Sequence, residues 1–575
     1  MVIRRRSVPE VPLELPAELH PVLHRVFAAR GVRSAADLDI ALGTLPDPHC
    51  FKGIDAAVTL LIAAMEQDRH ILIVADYDAD GATSCAVAVR GLRALGARRV
   101  SYVVPDRFRY GYGLSPEIVA VAARQHPDLI VTVDNGISSI EGVAAAQAMG
   151  IPVLVTDHHL PGDGLPDAAA IVNPNQPGCG FPTKHLAGVG VMFYLLMALR
   201  TALREAGHFA AVPEPNLAEL LDLVALGTVA DVVALDRCNR ALVEQGLRRI
   251  RAGHGCAGIR ALLTVAGRDP AGLVASDLGF AVAPRLNAAG RLTEMSLGIE
   301  CLLSSTPEAA FETATRLDTL NRERRGIEQT MQEQAWDALR TLHLESDSGL
   351  PFGLCLFDPA WHQGVVGIIA SRVKDRLHRP VVAFAPGEAD ELKGSARSVP
   401  GVHIRDTLDA VAARHPGLVV RFGGHAMAAG LTLLPQNLDR FSSAFDAEVR
   451  RHLGADELEG VVWSDGEVAP ADLTLDFAQC LREAAPWGQA FPEPRFDGRF
   501  VVVDRRIVGG QHLKLMVQSC AGGRELDAIW FRARDPESVR IGDQVRMVYR
   551  LDVNEYRGRR TLQLIVDHLE ASPGR

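Results

Sequence analysis

Apolar and polar positions change rhythm several times along the chain. From Ile71 to about Asn175, short apolar runs ("ILIVA", "RVSYVVP", "DLIVTVD", "IPVLVTD") alternate with alanine-rich stretches such as "GATSCAVAVRGLRALG" and "SSIEGVAAAQAMG". Unbroken apolar runs separated by helical patterns are βαβ units, and they predict a parallel, doubly wound sheet. From Pro215 to Asp277 the period becomes helical, as in "LAELLDLVALGTVADVV". Between Thr306 and Glu345, apolar residues at helical spacing sit among abundant charge, which predicts one long connecting helix or two abutting ones. A smaller α/β unit is expected from about Gly349 to Leu453, with strands "FGLCLFD" and "VVAFAP". Beyond it, "FDGRFVVVDRRIVGGQHLKLMVQS", "RELDAIWFRA" and "DQVRMVYRLDVNEYRGRRTLQLIVD" alternate apolar with polar residues and turn at glycine, the pattern of a small antiparallel barrel.

The expected organisation is therefore α/β multidomain. It comprises an N-terminal segment (1–60), a doubly wound domain with a helical extension (61–300), a connecting helix (301–347), a second α/β domain (348–455) and a β-barrel domain (456–575).

Composition narrows the class. The 575 residues are too many for one ordinary core, and 48% apolar against 23% charged suits a globular chain with several. The uncharged apolar stretch "GVGVMFYLLMAL" from Gly188 to Leu199 is too short to span a bilayer, so a cytoplasmic location is expected. Nine cysteines without a Cys-x-x-Cys pair argue against a zinc site and against a disulfide framework. A net charge of −10 argues against non-specific coating of nucleic acid while leaving room for a local basic groove.

The chemistry concentrates where strands end. "ILIVADYDAD" ends in Asp76, Asp78 and Asp80, "DLIVTVDNG" in Asp134, and "IPVLVTDHH" in Asp157, His158 and His159. Right-handed crossovers put all carboxyl ends of a parallel sheet on one edge, where open α/β sheets bind ligands. One such Asp alone is as well explained by an Asx turn or a helix N-cap. Three acid-terminated strands on one edge are not, because like charges in a partly dry site raise each other's pKa. A metal ion resolves the conflict, and several Asp with one or two imidazoles suit Mn²⁺ or Mg²⁺ better than zinc.

These residues also resemble a known family. "DYDADGATS", "VTVDNGISS", "VTDHHLPG" and "ALGTVADVVAL" are similar, in order, to the four motifs of the DHH phosphoesterase superfamily. "RYGYGLSPE", "APRLNAAGRL", "WHQGVVGIIASR", "KGSARS", "FGGHAMAAGL", "PWGQAFPEP" and "NEYRGRRTLQ" extend the likeness to its RecJ exonucleases over essentially the whole chain. The resemblance implies that Asp78, Asp80, Asp134, His158 and Asp231 hold two divalent ions, Mn or Mg, with Asp134 bridging. It implies that Asp76 ligates or supports the ligands, and that His159 touches the substrate phosphate. It also implies a DHH-associated second α/β domain in which "KGSARS" and "GGHAMAAG" are substrate-binding loops.

Arg107, Arg285, Asn287, Arg291, Ser395, Arg397 and His425 are the substrate contacts expected on this likeness. Ser395 and Arg397 are the residues expected to grip a terminal 5′-phosphate. The barrel is similar to an OB-fold, and Lys514, Trp530, Tyr549, Tyr556, Arg557, Arg559 and Arg560 suit a groove that stacks bases and tracks phosphates, although some of these aromatics would serve a small core. The implied function is 5′-to-3′ hydrolysis of single-stranded DNA to mononucleotides by two-metal catalysis, in DNA repair and recombination. Expected partners are single-stranded DNA, a single-strand-binding protein and a helicase, the protein being a monomer. Two alternatives remain at this stage: a DHH phosphodiesterase acting on short oligonucleotides or cyclic dinucleotides, and a non-catalytic single-strand-binding scaffold.

Overall fold

Strands Ile71–Ala75 (β1), Val100–Val103 (β2), Leu129–Val133 (β3), Val153–Thr156 (β4) and Ala170–Val172 (β5) form one sheet in which every pairing is parallel. All residues of β1, β3 and β4 are buried, which is why their apolar runs are unbroken. The strand order is β2-β1-β3-β4-β5. The chain leaves β1 toward one edge and then crosses to the other side, so the winding reverses between β1 and β3. At such a reversal the loops part and leave a crevice beyond the carboxyl ends of the strands.

This computed structural model describes the chain except for residues 1, 10–13, 106–112, 163, 342–349, 388–389, 425, 455–459, 534, 557 and 572–575, and the side chains of 335–341, 556 and 571. Arg107, His425 and Arg557 therefore lie outside the described residues, as does the side chain of Tyr556. The chain divides into two units, one formed by Arg4–Asp318 with Trp463–Arg575, the other by Met1–Ile3 with Thr319–Val462.

In the first unit, helix Ala79–Ala94 (α1) follows β1 and packs against Gly188–Glu205 (α2) and Leu221–Ala230 (α3). The uncharged stretch from Gly188 to Leu199 is a buried core helix, and among the described residues no single helix is long and apolar enough to cross a membrane. Arg237–Arg251 (α4), Ala257–Val265 (α5) and Ala283–Leu292 (α6) complete the helical extension. Pro307–Thr341 (α7) is one continuous helix that leaves this unit at Asp318.

The second unit holds Leu354–Phe357 (β6), Val366–Leu377 (α8), Val381–Pro386 (β7), Leu392–Arg397 (β8), Arg421–Gly424 (β9) and Ala428–Leu433 (β10), with sheet order β9-β10-β8-β7-β6. Only β6 and β7 are parallel neighbours. Contrary to the expectation of loops, "KGSARS" forms strand β8, and "RFGG" and "AAGL" belong to the β9 and β10 strands of an antiparallel pair. Glycine suggested loops, yet burial alternates along β8 with period two. Gly394 is there for space, since a Cβ would come within 2.5 Å of the Phe384 ring.

Strands Phe496–Val508 (β11), His512–Ser519 (β12), Glu525–Trp530 (β13), Gln544–Tyr556 (β14) and Arg559–Ala571 (β15) close into a barrel in the order β11-β12-β13-β15-β14. It is not wholly antiparallel: β13 and β15 run parallel, pairing Ala528 with Leu564. The barrel region belongs to the first unit. Arg30, just beyond helix Pro21–Ala28, reaches Asp465 through two bonds of 2.8 and 2.9 Å, and both side chains are 1% exposed. Phe27 stacks on Trp487 at 5.8 Å, and the Leu235 N–H donates to the Gln489 carbonyl at 2.8 Å.

Candidate active site

Three residues, Asp76, Tyr77 and Asp78, join β1 to α1. Asp78 is the N-cap of α1, its Oδ1 accepting from the N–H groups of Asp80 (2.9 Å) and Gly81 (3.0 Å). Capping and clustering coexist here, because Asp76, Asp78 and Asp134 bring ligand atoms within 4.8 Å of one another. Asp80 turns to a different helix: Oδ2 accepts from the Gly188 N–H (2.7 Å) and Oδ1 from the Val189 N–H (3.1 Å), so its carboxylate sits on the positive end of α2. Burial, then the charge of Asp78, still push the Asp80 carboxyl up to about 7.

Asp134 ends β3 with φ +62°, the left-handed region that residues other than glycine seldom occupy. Its neighbour Asn135 holds the turn, donating to the carbonyls of Val74 (3.1 Å) and Val133 (2.9 Å) and so tying β1 to β3 at the crevice. Asp134 fits because residue 188 has no side chain: a Cβ there would lie 2.6 Å from Asp134 Cβ and Oδ1.

At the end of β4, Asp157 turns away from the nest. Its Oδ2 accepts from the Ile137 N–H (2.9 Å), and Oδ1 accepts from the N–H groups of His158 (2.7 Å) and His159 (3.1 Å) and lies 2.8 Å from His159 Nδ1. Burial alone would raise the Asp157 carboxyl, but the His159 hydrogen bond and the two imidazole charges hold it below its usual range. Burial likewise opposes a charged His159, yet the bond and charge of Asp157, with Asp231 and Asp76 behind, raise it to about 9. His158 Nε2 lies 3.1 Å from Asp134 Oδ1 and 3.5 Å from Asp231 Oδ2.

Asp231 sits at the C-terminal end of α3 and is followed by Val232 at φ +60°, a strained conformation for a β-branched residue. Burial, Asp80 and Asp78 push the Asp231 carboxyl well above its ordinary value, and burial with Asp80 does the same to Asp134.

Three overlapping groups thus meet at the winding reversal, Asp76/Asp78/Asp134, Asp80/His158/Asp231 and Asp134/His158/His159, joined by the Asp134–His158 contact. So many buried carboxylates stand together only if positive charge compensates them, and oxygen-rich donors with one imidazole suit hard divalent ions. The residues present fit such ions.

The remaining expected contacts fall elsewhere. Arg285 is buried and ion-paired with Asp318 at 2.8 Å. Asn287 Oδ1 accepts from the Ala79 N–H at 2.8 Å, so it braces the acidic turn, and Arg291 is half-buried on α6. In the second unit Arg397 donates to Ser395 Oγ (3.0 Å) and the Ala396 carbonyl (2.8 Å), and no carboxylate among the described residues pairs with it. Both side chains meet the N-terminus of α8 at Gly367, whose missing Cβ would lie 2.7 Å from Arg397 Nη2.

In the barrel, Tyr549 does not face a groove. It is 1% exposed and packs edge-on against Phe500 in a core too small to leave large aromatics outside. Lys514 pairs with Asp527 at 3.0 Å, Trp530 is half-buried, and Arg559 and Arg560 are exposed, the latter bonding Gln479. Sequence reasoning passed over Phe531, 51% exposed beside Trp530, gave no role to Asn135 or Gly188, and counted Asp157 among the converging acids where it orients the two histidines instead. The pairing of Asp157 with the two histidines that follow it was the available signal.

Comparison with known proteins agrees with this geometry. Residues 70–228 match the DHH family N-terminal domain, 351–451 the DHHA1 domain and 464–568 the RecJ OB domain. The chain is 56% identical over 575 residues to the single-stranded-DNA-specific exonuclease RecJ of Dickeya dadantii, covering 99% of each chain. It resembles the crystal structure of Thermus thermophilus RecJ in complex with Mn²⁺ (31% identity, TM-score 0.78, 97% of this chain and 77% of that one). It likewise resembles the Mg²⁺ complex of that protein (29% identity, TM-score 0.73, 97% and 76%).

Proposed function

Because the chain belongs to the RecJ family of single-stranded-DNA-specific exonucleases, we propose that it hydrolyses single-stranded DNA from the 5′ end, releasing mononucleotides. The observation that carries this reading is the set of three overlapping acid and imidazole groups at the winding reversal. Asp76, Asp78 and Asp134 would hold one divalent ion and Asp80, His158 and Asp231 a second, with Asp134 shared. Bound there, such ions acidify a water and neutralise charge on phosphate and leaving oxygens.

The chain's own groups do the positioning. Asp157 holds His159 cationic through Nδ1, which suits the ring to a non-bridging phosphate oxygen. The N-terminus of α2 fixes Asp80, and Asn135 fixes the turn of Asp134. A covalent nucleophile is not needed, and burial pushes the thiols of Cys256 and Cys301 up to about 12, out of nucleophilic range. Ser395 and Arg397 hold the terminal 5′-phosphate: a guanidinium without a carboxylate partner among the described residues, beside a hydroxyl and a helix N-terminus, suits a dianion. Arg291, and Arg107 and His425 on the resemblance alone, are further contacts to the strand. Arg285 and Asn287 serve it indirectly, through α6 and the acidic turn.

The OB-fold barrel supplies binding to single strands. On the family resemblance the enzyme acts as a cytoplasmic monomer with a single-strand-binding protein and a helicase, in repair and recombination. The test is digestion of end-labelled single-stranded and duplex DNA with Mn²⁺ or Mg²⁺, with and without chelator. Mononucleotides should appear from the 5′ end of single strands only, and Asp134→Ala should abolish them while the fold persists. Unchanged turnover in that variant would refute the assignment.

A further inference from the structure

Away from the acidic nest, the first unit carries a concavity of about 420 Å³ lined with charge of the opposite sign. Arg90 enters it from α1, Arg249 from α4, Arg260 from α5 and His254 from the loop between the last two, while Glu219 is the one acid on its wall. Guanidiniums gathered this closely ordinarily find carboxylates. On the same helix, Arg248 and Arg251 both pair with Glu244, at 3.0 and 3.1 Å. Among the described residues Arg90, Arg249 and Arg260 make no ion pair within 4 Å; Arg90 feels the buried Asp222 at longer range, and Arg249 Nε is shut off from solvent without a hydrogen-bond partner. Gly255, Cys256 and Ala257 also line the cavity, so the positive N-terminal end of α5 adds to its field. Asp222 accepts from the Cys256 N–H at 2.6 Å, which anchors that helix start.

Beside it lies a second compartment of about 500 Å³ that shares Arg90 and Glu219 and is otherwise lined by Ala94, Pro213, Pro215, Leu217 and Leu220, with Asn216 and with Glu214, whose carboxylate is paired with Arg204. A cationic well opening onto a proline- and leucine-lined slot matches a ligand with a compact anionic head and a flat, largely apolar body. Of such anions, a phosphate dianion answers three arginines better than a single carboxylate does.

We propose that this groove is a second, non-catalytic binding site for a nucleoside monophosphate, its phosphate held by Arg90, Arg249 and Arg260 and its base resting against Pro213, Pro215 and Leu217. The site is separate from the acidic nest: Arg90 lies ten residues beyond Asp80 on the same helix, about 15 Å along its axis. It stands whether or not the nest hydrolyses DNA.

The test is calorimetric titration of the intact protein in chelator with dAMP, dCMP and inorganic phosphate. In Arg397→Ala, which lacks the proposed 5′-phosphate grip, one equivalent of nucleotide should bind the groove, with inorganic phosphate weaker by at least about tenfold because it leaves the apolar slot empty. Arg260→Glu, at an exposed position, and Arg90→Gln should each weaken nucleotide binding by about tenfold or more, the loss of one charge-assisted contact, with melting temperatures confirming the fold. Asp134→Ala and Arg397→Ala should leave the affinity unchanged. Absence of saturable binding would overturn the proposal. So would binding that survives Arg260→Glu but is lost in Asp134→Ala or Arg397→Ala, inorganic phosphate binding as tightly as nucleotide, or binding confined to long single strands.

Discussion

Gly188 carries no chemistry, yet two carboxylates of the nest depend on its having no side chain. In Gly188→Ala the new Cβ would stand 2.6 Å from Asp134 Cβ and Oδ1 and 2.8 Å from Cγ. Carbon atoms rest at roughly 3.5–4.0 Å, so something must retreat by nearly 1 Å. Asp134 has little freedom, with its φ at +62°, its N–H on the Thr156 carbonyl at 3.1 Å and Asn135 bonded behind it. If α2 retreats instead, the Gly188 and Val189 N–H groups are drawn off Asp80. Either way one carboxylate shifts by close to 1 Å, a misplacement that lowers kcat on the order of 10²-fold, or about 2.7 kcal/mol of barrier.

The fold itself should change little, since alanine favours a helix by about 1 kcal/mol over glycine and offsets part of the overpacking. Three measurements separate these effects: kcat on a 5′-phosphorylated single strand at saturating Mn²⁺, the Mn²⁺ concentration for half-maximal rate, and the melting temperature. The expected result is a large fall in kcat, a raised Mn²⁺ requirement and a shift of only a few degrees. A variant within threefold of wild type at every Mn²⁺ concentration would show that the α2 contact does not position the nest.

Asp80 is raised to about 7, and Asp134 and Asp231 are raised as well. Carboxylates protonated in the fold but ionised when unfolded make the metal-free protein lose stability as pH rises from about 4 to 7, by about 4 kcal/mol for Asp80 if its whole shift counts. Divalent ions should reverse that loss, so the Mn²⁺-induced gain in melting temperature should be larger at pH 8 than at pH 5.5, and equal gains would contradict it. Arg30→Ala should destabilise the protein by about 3 kcal/mol by leaving the buried Asp465 with Arg6, 3.7 Å away, as its remaining cation, whereas the Arg30→Met, Asp465→Leu double variant should recover at least half; additive losses in a denaturant cycle would refute the pairing. Arg397→Ala should remove most of the preference for 5′-phosphorylated over 5′-hydroxyl single strands, and full retention of that preference would mean the end is recognised elsewhere. Phe531→Ala should weaken binding of long single strands by about tenfold, the loss of one stacked base, without slowing cleavage of trinucleotides; equal effects on both substrates would make Phe531 structural.

The sequence by itself determined the layers of this protein and the edge on which its chemistry lies. Local burial rhythm is written in neighbouring residues, and a parallel sheet has one carboxyl edge, so the acids after β1, β3 and β4 had to converge. Tertiary structure decided what each acid does. Asp78 and Asp157 are alike in sequence, each an Asp just past a strand, but one joins the nest while the other turns to Ile137 and His159, because distant backbone N–H groups compete for its oxygens. Asp231 comes to the nest on a helix nearly a hundred residues further along, and neither periodicity nor spacing encodes that approach. The same holds for Gly188, whose necessity appears only when α2 meets β3, for Tyr549, drawn into the barrel core, and for the parallel closure of β13 on β15. Each depends on which remote surface a residue meets, and a chain's local pattern fixes how deeply a residue is buried without fixing what it is buried against.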